Sequence, residues 1–305
     1  MKMNHIHLQN IKPLEMINDS YNQTNRVKKL VAVYQTRYKD GNVYGFGDFI
    51  RGCFVLISLC EKMGLVFDID LSNHLLSKYV EGHIKNPTID YNNISNMQIN
   101  YHYSMTTPLD YIYNIFKTLI ENEKDEVYYT SSNIDPLFHI KQSHLNFIKS
   151  RITPNIEMQE AIKETMTFLK LKNSNYSVIH IRAGDKFIFN THNVLENYIL
   201  RKIFYNLRGL LNDKNRKYLI LSDCTNLKMW FKPYHNCVFQ LNQIAHLGEQ
   251  PILLEESVKN TMMDFYLMSR ARHIYSMSLA PAVFSGFSKW CAFLYNIPYE
   301  WYQIK

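Results

Sequence analysis

Four short segments of this sequence put polar or glycine residues where a strand ends or a helix begins, the places from which a chain can meet a ligand. The richest is His180-Ile181-Arg182-Ala183-Gly184-Asp185-Lys186. It closes an apolar run from Tyr176, so His180 and Arg182 point to the same side of a strand at its carboxyl end. Arg182 offers a planar fork of donors suited to a diphosphate, and Gly184 frees the turn. His180 could bond a base or a ribose. An Arg182–Asp185 ion pair closing a loop accounts for the same residues equally well. The second segment is Gly45-Phe46-Gly47-Asp48. Glycines let the backbone approach a ligand, and a helix start offers unpaired N–H groups to an anion. The dinucleotide fingerprint GxGxxG is incomplete, because Ile50 stands at its third glycine, and a tight turn with Asp48 as N-cap is the simpler reading. Ser222-Asp223 follows another apolar run and reads first as a helix cap. The fourth place joins Asp264, a carboxylate within the apolar run MMDFYLM, to Ser285-Gly286-Phe287-Ser288. A bare carboxylate there is costly unless paired. Phe287 and Ser288 open a helix whose N–H groups and hydroxyl could meet a phosphate, or could simply cap it.

The elements that must hold these residues follow from periodicity. Residues 28–35 are β-branched and apolar, a buried strand. Phe49, Cys53, Leu56, Cys60 and Met63 recur at helical steps over 48–63, and Gly64 ends that helix. Residues 65–70 form a second strand, completing a unit of the length of a parallel βαβ crossover. Residues 86–108 are polar and poorly periodic and read as irregular or weak strand. A helix is predicted over 108–121, a strand over 126–130, and helices over 136–150 and 156–170. The second half restarts the alternation: strands over 176–182, 217–223, 237–239 and 273–276, helices over 193–212, 255–271 and 286–295. Two α/β alternations predict two parallel-sheet lobes, 1–154 and 155–305, with ligands at the carboxyl ends of strands.

Composition narrows the function classes. The chain has 305 residues, 46% hydrophobic and 20% charged, enough apolar surface for a packed core and against disorder over most of its length. A net charge of +7 favours anionic partners, but the basic residues are scattered, with no basic tail and no stacking platform of the nucleic-acid kind. The five cysteines contain no CxxC, so neither a disulfide framework nor a zinc site is supported, and Cys53 and Cys60 read as core thiols. No uncharged apolar stretch reaches about 20 residues. The reading is a protein of the cytoplasm with no integral membrane segment, no metal site and no nucleic-acid partner.

Together the motifs resemble the fucosyltransferase superfamily of α1,2- and α1,6-fucosyltransferases, the Nod-factor enzyme and protein O-fucosyltransferases. The segment HIRAGD is similar to its His-x-Arg-Arg-x-Asp motif, MDFYLMSRARHIYSM…SGFSKW to its later motif, and Gly45-Phe46-Gly47-Asp48 to its N-terminal glycine turn. The order matches over about residues 30–298. The resemblance implies an α/β fold of the GT-B type, two Rossmann-like lobes facing a central cleft, the first binding the acceptor and the second the donor. It implies GDP-fucose as donor, a glycan as acceptor, inversion at the sugar carbon and no required cofactor. Arg182 would then hold the β-phosphate, with Asp48, then Asp185, as candidate base. His180 and Asp264 would contact the guanine or its ribose. Gly45, Phe46, Gly47, Asp223, Ser285, Phe287 and Ser288 would complete the donor site. Ala183 departs from the motif's second Arg and puts the strength of the diphosphate grip in doubt. A non-catalytic nucleotide- or glycan-binding protein, or a transferase of another nucleotide sugar, fits the same segments.

Overall fold

The computed structural model describes residues 28–35, 45–85, 97–99, 127–132, 135–136, 139–189, 193–248, 253–279 and 284–303. The helix expected over 108–121, and most of the aperiodic stretch 86–108, lie outside these residues.

The first half holds a parallel sheet of β1 (Lys29–Val33), β2 (Val66–Asp70), β4 (Met97–Ile99) and β5 (Val127–Ser132), in the order β2-β1-β5-β4. Val80–Glu81 (β3) pairs antiparallel with Thr153–Pro154 (β6) in a separate two-stranded ribbon. Helix α1 (Phe46–Met63) crosses from β1 to β2 and is buried on nearly every side from Phe46 to Cys60. A helix apolar all round is a core helix rather than a half-wet one. It begins earlier than expected: Gly45 is the N-cap, and Asp48 lies inside the first turn. Gly64 ends it in the left-handed conformation (φ 67°), and Leu65 N–H reaches back to the Cys60 carbonyl, as glycine termination predicts. Cys53 and Cys60 are buried free thiols, raised by burial, Cys60 to about 12.

The second half holds a parallel sheet of β7 (Ser177–Arg182), β8 (Tyr218–Ser222), β9 (Cys237–Val238), β10 (His273–Ser278) and β11 (Tyr299–Gln303), ordered β11-β10-β7-β8-β9. The chain moves outward from β7 to β9, then returns to the other side of β7, which makes the β7/β10 junction a topological switch point. The two-residue period sorts the strands cleanly. Val178, Leu219, Leu221 and Ile274 enter one apolar cluster; Ile179, Ile181, Ile220, Tyr275 and Met277 enter another. The second cluster is closed by the helix Asn197–Leu211 through Leu200, Ile203 and Leu207.

The first cluster runs without a break from Leu30 through α1 to helices α2 (Gln142–Arg151), α3 (Ile156–Phe168), α7 (Glu255–Met268) and α8 (Gly286–Tyr295), where α4, α5 and α6 are Lys186–Phe189, Asn197–Leu211 and Thr225–Met229. Helix α8 packs on α1, with the Phe54 and Trp290 rings 5.8 Å apart, and Phe46 meets Phe265 edge-on at 5.2 Å. Tyr266 donates to the Ile152 carbonyl at 2.8 Å and Tyr79 to the Glu255 carbonyl at 3.2 Å. Strand β11, the small ribbon and α6 had no counterpart in the sequence reading.

The closest approach of α1 to α8 is backbone on backbone. A Cβ on Gly47 would stand 2.4 Å from the Gly286 carbonyl carbon and 2.6 Å from the Phe287 nitrogen. Gly47→Ala is therefore expected to cost about 1–3 kcal/mol by overpacking, read as a lower thermal denaturation midpoint. An unchanged midpoint would mean that the two helix starts stand further apart than this.

Candidate active site

A cleft of about 330 Å³ opens at the switch point, a size proper to a small-molecule site. The carboxyl end of β7 forms one wall. There the strand delivers His180 and Arg182 from one face, as alternation requires, and Gly184 turns the chain with φ 120°, a conformation that a residue with a side chain rarely adopts. Asp223, at the end of the neighbouring strand β8, fixes this turn. One of its carboxylate oxygens accepts Ala183 N–H at 2.6 Å. The other accepts Gly184 N–H at 2.9 Å and also receives the Arg182 guanidinium. Asp223 is thus a loop clamp, not the helix cap that its sequence context suggests; Cys224 is the N-cap of α6. The second guanidinium nitrogen of Arg182 donates to Asp185. Burial alone would lower the Arg182 pKa, but Asp223 and then Asp185 hold it above its ordinary value.

The two carboxylates differ in kind. The Asp223 side chain is 2% exposed and bonded on both oxygens; that of Asp185 is 36% exposed and carries this one ion pair. Burial raises the Asp223 pKa against the pull of Arg182 and the two amides. His180 is 7% exposed, and its buried Nδ1 has no hydrogen-bond partner among the described residues. Burial, helped by Arg182 and Lys228, lowers its pKa to about 3, so the imidazole is neutral.

The opposite wall is made where two helices begin. Gly45 is the N-cap of α1 and Ser285 that of α8, and neither start has a side-chain cap. The first intrahelical bonds come from Phe49 and Lys289, so the first-turn amides of both helices lack intrahelical acceptors. Both positive dipole ends meet at the cleft, which suits an anion. Asp48 sits between them: its Oδ1 would lie 3.0 Å from a Cβ on Gly286 and pairs with Arg51 at 3.2 Å. Burial raises its pKa, Arg51 and Arg182 lower it, and Asp135 adds to the rise. A carboxyl that binds protons more tightly than usual is a stronger base.

The cleft lining also includes Asp264, which has no hydrogen bond among the described residues. Burial raises its pKa to about 6 against the pull of Lys228. The structure brings Gly45, Phe46, Gly47 and Asp48 together with Ser285 and Phe287, and sets them opposite His180, Arg182, Asp185 and Asp223. Ser288 is not in the wall: it is fully buried, and its hydroxyl meets the Ser276 hydroxyl at 2.9 Å.

The sequence reading missed one wall, residues 244–247. Thr261 of α7 pins it by accepting Ala245 N–H at 2.8 Å and donating to the Ala245 carbonyl, while His74 reaches the Leu247 carbonyl at 2.9 Å. His246 thereby enters the cleft beside Gly45, and burial, then Arg182, lowers its pKa to about 4 against Asp185. The only signal in the sequence was a histidine in a polar loop after a strand. Among the described residues, no cluster of histidine, cysteine and carboxylate groups is arranged to hold a metal ion. None of the described helices is long and apolar enough to cross a membrane.

No protein-family profile and no curated protein matches this sequence. Solved structures do match in fold. Fucosyltransferase NodZ from Bradyrhizobium aligns over 88% of this chain and 93% of its own at 14% identity, with a TM-score of 0.51. NodZ α-1,6-fucosyltransferase co-crystallised with GDP gives the same coverage at 13% identity and a TM-score of 0.53. A mutant of Arabidopsis thaliana FUT1 in complex with GDP aligns over 93% of this chain and 72% of its own at 10% identity, with a TM-score of 0.52. The mixed α/β fold with parallel sheets is the fold of these fucosyltransferases.

The asymmetry around Arg182 sets an expectation. Inorganic pyrophosphate has to compete with Asp185 for the guanidinium, so Asp185→Asn is expected to tighten pyrophosphate binding about tenfold by calorimetry, the worth of one charge-assisted bond. Asp223→Asn, which leaves buried donors unmatched, should instead lower the denaturation midpoint and weaken binding. Equal effects of the two changes would refute the division of labour.

Proposed function

We propose that the protein is an inverting, metal-independent glycosyltransferase of the GT-B type that moves fucose from GDP-fucose to a glycan hydroxyl. The observation that carries this reading is the meeting, in one cleft on this fold, of Arg182, two uncapped helix starts and the carboxylates of Asp48 and Asp264. One of the NodZ structures that share the fold was co-crystallised with GDP, another was soaked with GDP-fucose, and the FUT1 mutant structure is a complex with GDP. In this reading residues 155–305 bind the donor and residues 1–154 the acceptor.

The donor's diphosphate lies against Arg182 and the first-turn amides of α8, with Phe287 and Ser285 along it. Its base reaches the Asp264 end, where His180 and the carboxylate meet polar edges. The bond from the sugar's C1 to the β-phosphate oxygen breaks as the acceptor oxygen attacks the opposite face. Negative charge grows on the β-phosphate, and Arg182 with the helix amides stabilises it more in the transition state than in the ground state. Asp48 lies across the cleft from Arg182 and takes the proton of the acceptor hydroxyl. Its raised pKa makes it a better base, and at neutral pH it is restored after each turnover by loss of the proton to solvent.

Calorimetry of GDP, GDP-fucose, GDP-mannose and UDP in EDTA tests the reading, followed by transfer assays over a glycan panel. GDP-fucose is expected to bind more tightly than GDP-mannose, and UDP to bind least. Arg182→Ala is expected to lose GDP binding and to lower turnover by about 10²–10³, as for other lost oxyanion donors. Asp48→Asn should lower kcat and leave GDP binding in place. Absence of guanine-nucleotide binding by the folded wild type would overturn the proposal. GDP binding with no transfer to any acceptor would favour a non-catalytic binding protein on the same fold.

A further inference from the structure

His246 lines the cleft but has no part in the mechanism above. Both of its neighbours in the chain are tied down. Thr261 accepts the Ala245 N–H at 2.8 Å and donates to the Ala245 carbonyl at 3.1 Å, and His74 Nε2 donates to the Leu247 carbonyl at 2.9 Å. Thr261 and His74 are themselves buried, one in each half of the chain. A side chain between two fixed peptides is preorganised, so holding a ligand costs it little ordering. Burial lowers the His246 pKa to about 4, so at pH 7 the ring is a neutral imidazole with one N–H and one lone pair. A hydroxyl, which also has both, is its complement.

Gly45 marks what the ring faces. A Cβ on Gly45 would lie 3.7 Å from His246 Nε2 and 3.6 Å from Asp48 Oδ2. The two atoms therefore flank one gap and stand at most about 7 Å apart. The other carboxylate oxygen, Oδ1, is the one paired with Arg51 at 3.2 Å, which leaves Oδ2 on the side of the gap. Backbone freedom does not call for glycine here, because φ −63° and ψ 154° suit any residue. Helix capping does not call for it either, since Ser, Asn or Asp would cap α1 at least as well. What glycine supplies at this place is room.

The attacking hydroxyl of an acceptor has one hydrogen, which goes to Asp48, and it turns a lone pair to the C1 of the donor sugar. A ring N–H on the same oxygen would draw off the electron density that attack needs. A hydroxyl on the adjacent carbon has no such conflict, and it can donate to a neutral imidazole or accept from it. We infer that Asp48 and His246 clamp a vicinal diol of the acceptor sugar: Oδ2 receives the attacking hydroxyl and Nε2 holds its neighbour, so that His246 determines which hydroxyl is presented. The inference rests on the transferase reading given above and adds the class of acceptor.

Titration with methyl glucoside, methyl galactoside and methyl mannoside, each beside its monodeoxy analogues, tests the clamp in the presence and absence of GDP. The ring nitrogen resonances of His246, assigned with His246→Gln, report the contact, and saturation-transfer NMR on the probe reports affinity. A diol-bearing probe is expected to shift the ring resonances. The analogue lacking one hydroxyl of the clamped pair should bind about five- to tenfold more weakly, the worth of one hydrogen bond. His246→Ala should bind the probe and the analogue without the hydroxyl held by Nε2 alike. Gly45→Ala meets only ordinary contacts, so it should fold, yet its methyl fills the gap and should abolish the shift. If that variant does not fold, His246→Ala, which removes a half-buried ring, carries the test. No ring shift with any of the three diol-bearing probes, or equal binding of every deoxy analogue by the wild type, overturns the clamp even where GDP binds and transfer occurs. A clamp that passes in a protein without guanine-nucleotide binding would stand as a sugar site and overturn only the donor reading.

Discussion

The site depends on one ion pair, that of Arg182 with Asp223. Two adjacent parallel strands bring it about: β7 ends in the guanidinium, β8 ends just before the carboxylate, and Ile181 pairs with Ser222 in register. Because Asp223 also takes both amides of the following turn, the strand end, the Gly184 bend and the direction of Arg182 are set together. A buried carboxylate bonded to three donors has little reason to move, since any displacement strands donors in a dry place. Asp185 is the opposite case, half-open to solvent and held by one partner. The guanidinium therefore has one permanent neighbour and one replaceable neighbour. This is what an anion site needs if it is to keep its shape before the anion arrives.

The second constraint is the junction of the two halves. The apolar cluster does not stop at residue 154 but runs from Leu30 to Leu294 through α1 and α8. The two helix starts can face the same cleft because glycine stands at each contact, Gly47 against the Gly286 backbone. Asp48 reaches the α8 start only because the helices approach this closely. The position of the candidate base is thus a consequence of packing between the halves. By contrast, the candidate phosphate grip is a consequence of strand register within one sheet.

These two origins explain what the sequence revealed and what it hid. His180 and Arg182 were legible because a strand alternates its faces and both lie near its end. The helix ending at Gly64 was legible because a left-handed terminus demands glycine. Asp223 was misread, since a Ser-Asp after a strand is ordinary cap chemistry, and only the adjacent strand reveals its partners. Asp48 was misread for a similar reason: Gly45 can start a helix without a side-chain cap, which moves Asp48 into the first turn. Ser288 had the right helix but the wrong face, turned inward to Ser276. His246 and the 244–247 wall were not legible at all. Their place depends on Thr261 and His74, which lie 16 and 173 residues from their partners and leave no local period.

Ala183, the departure from the resembling motif, has a physical reason in this fold. It stands just past the end of β7, at the rim where the cleft meets the apolar cluster of Ile179, Ile181 and Phe187, and it is buried there. A guanidinium at that place would have to find room between the cleft wall and an apolar core, which is costly for a charge without a partner. The helix behind that cluster contributes leucine and isoleucine to it. In the proposed donor reading, the cationic task on the cleft side falls to Arg182 and to the uncapped starts of α1 and α8, whose amides carry partial positive charge without a side chain to bury. A grip made from one guanidinium and two helix ends is weaker in net charge than one made from two arginines. It is also more directional, because the amides are held by helices that pack backbone to backbone.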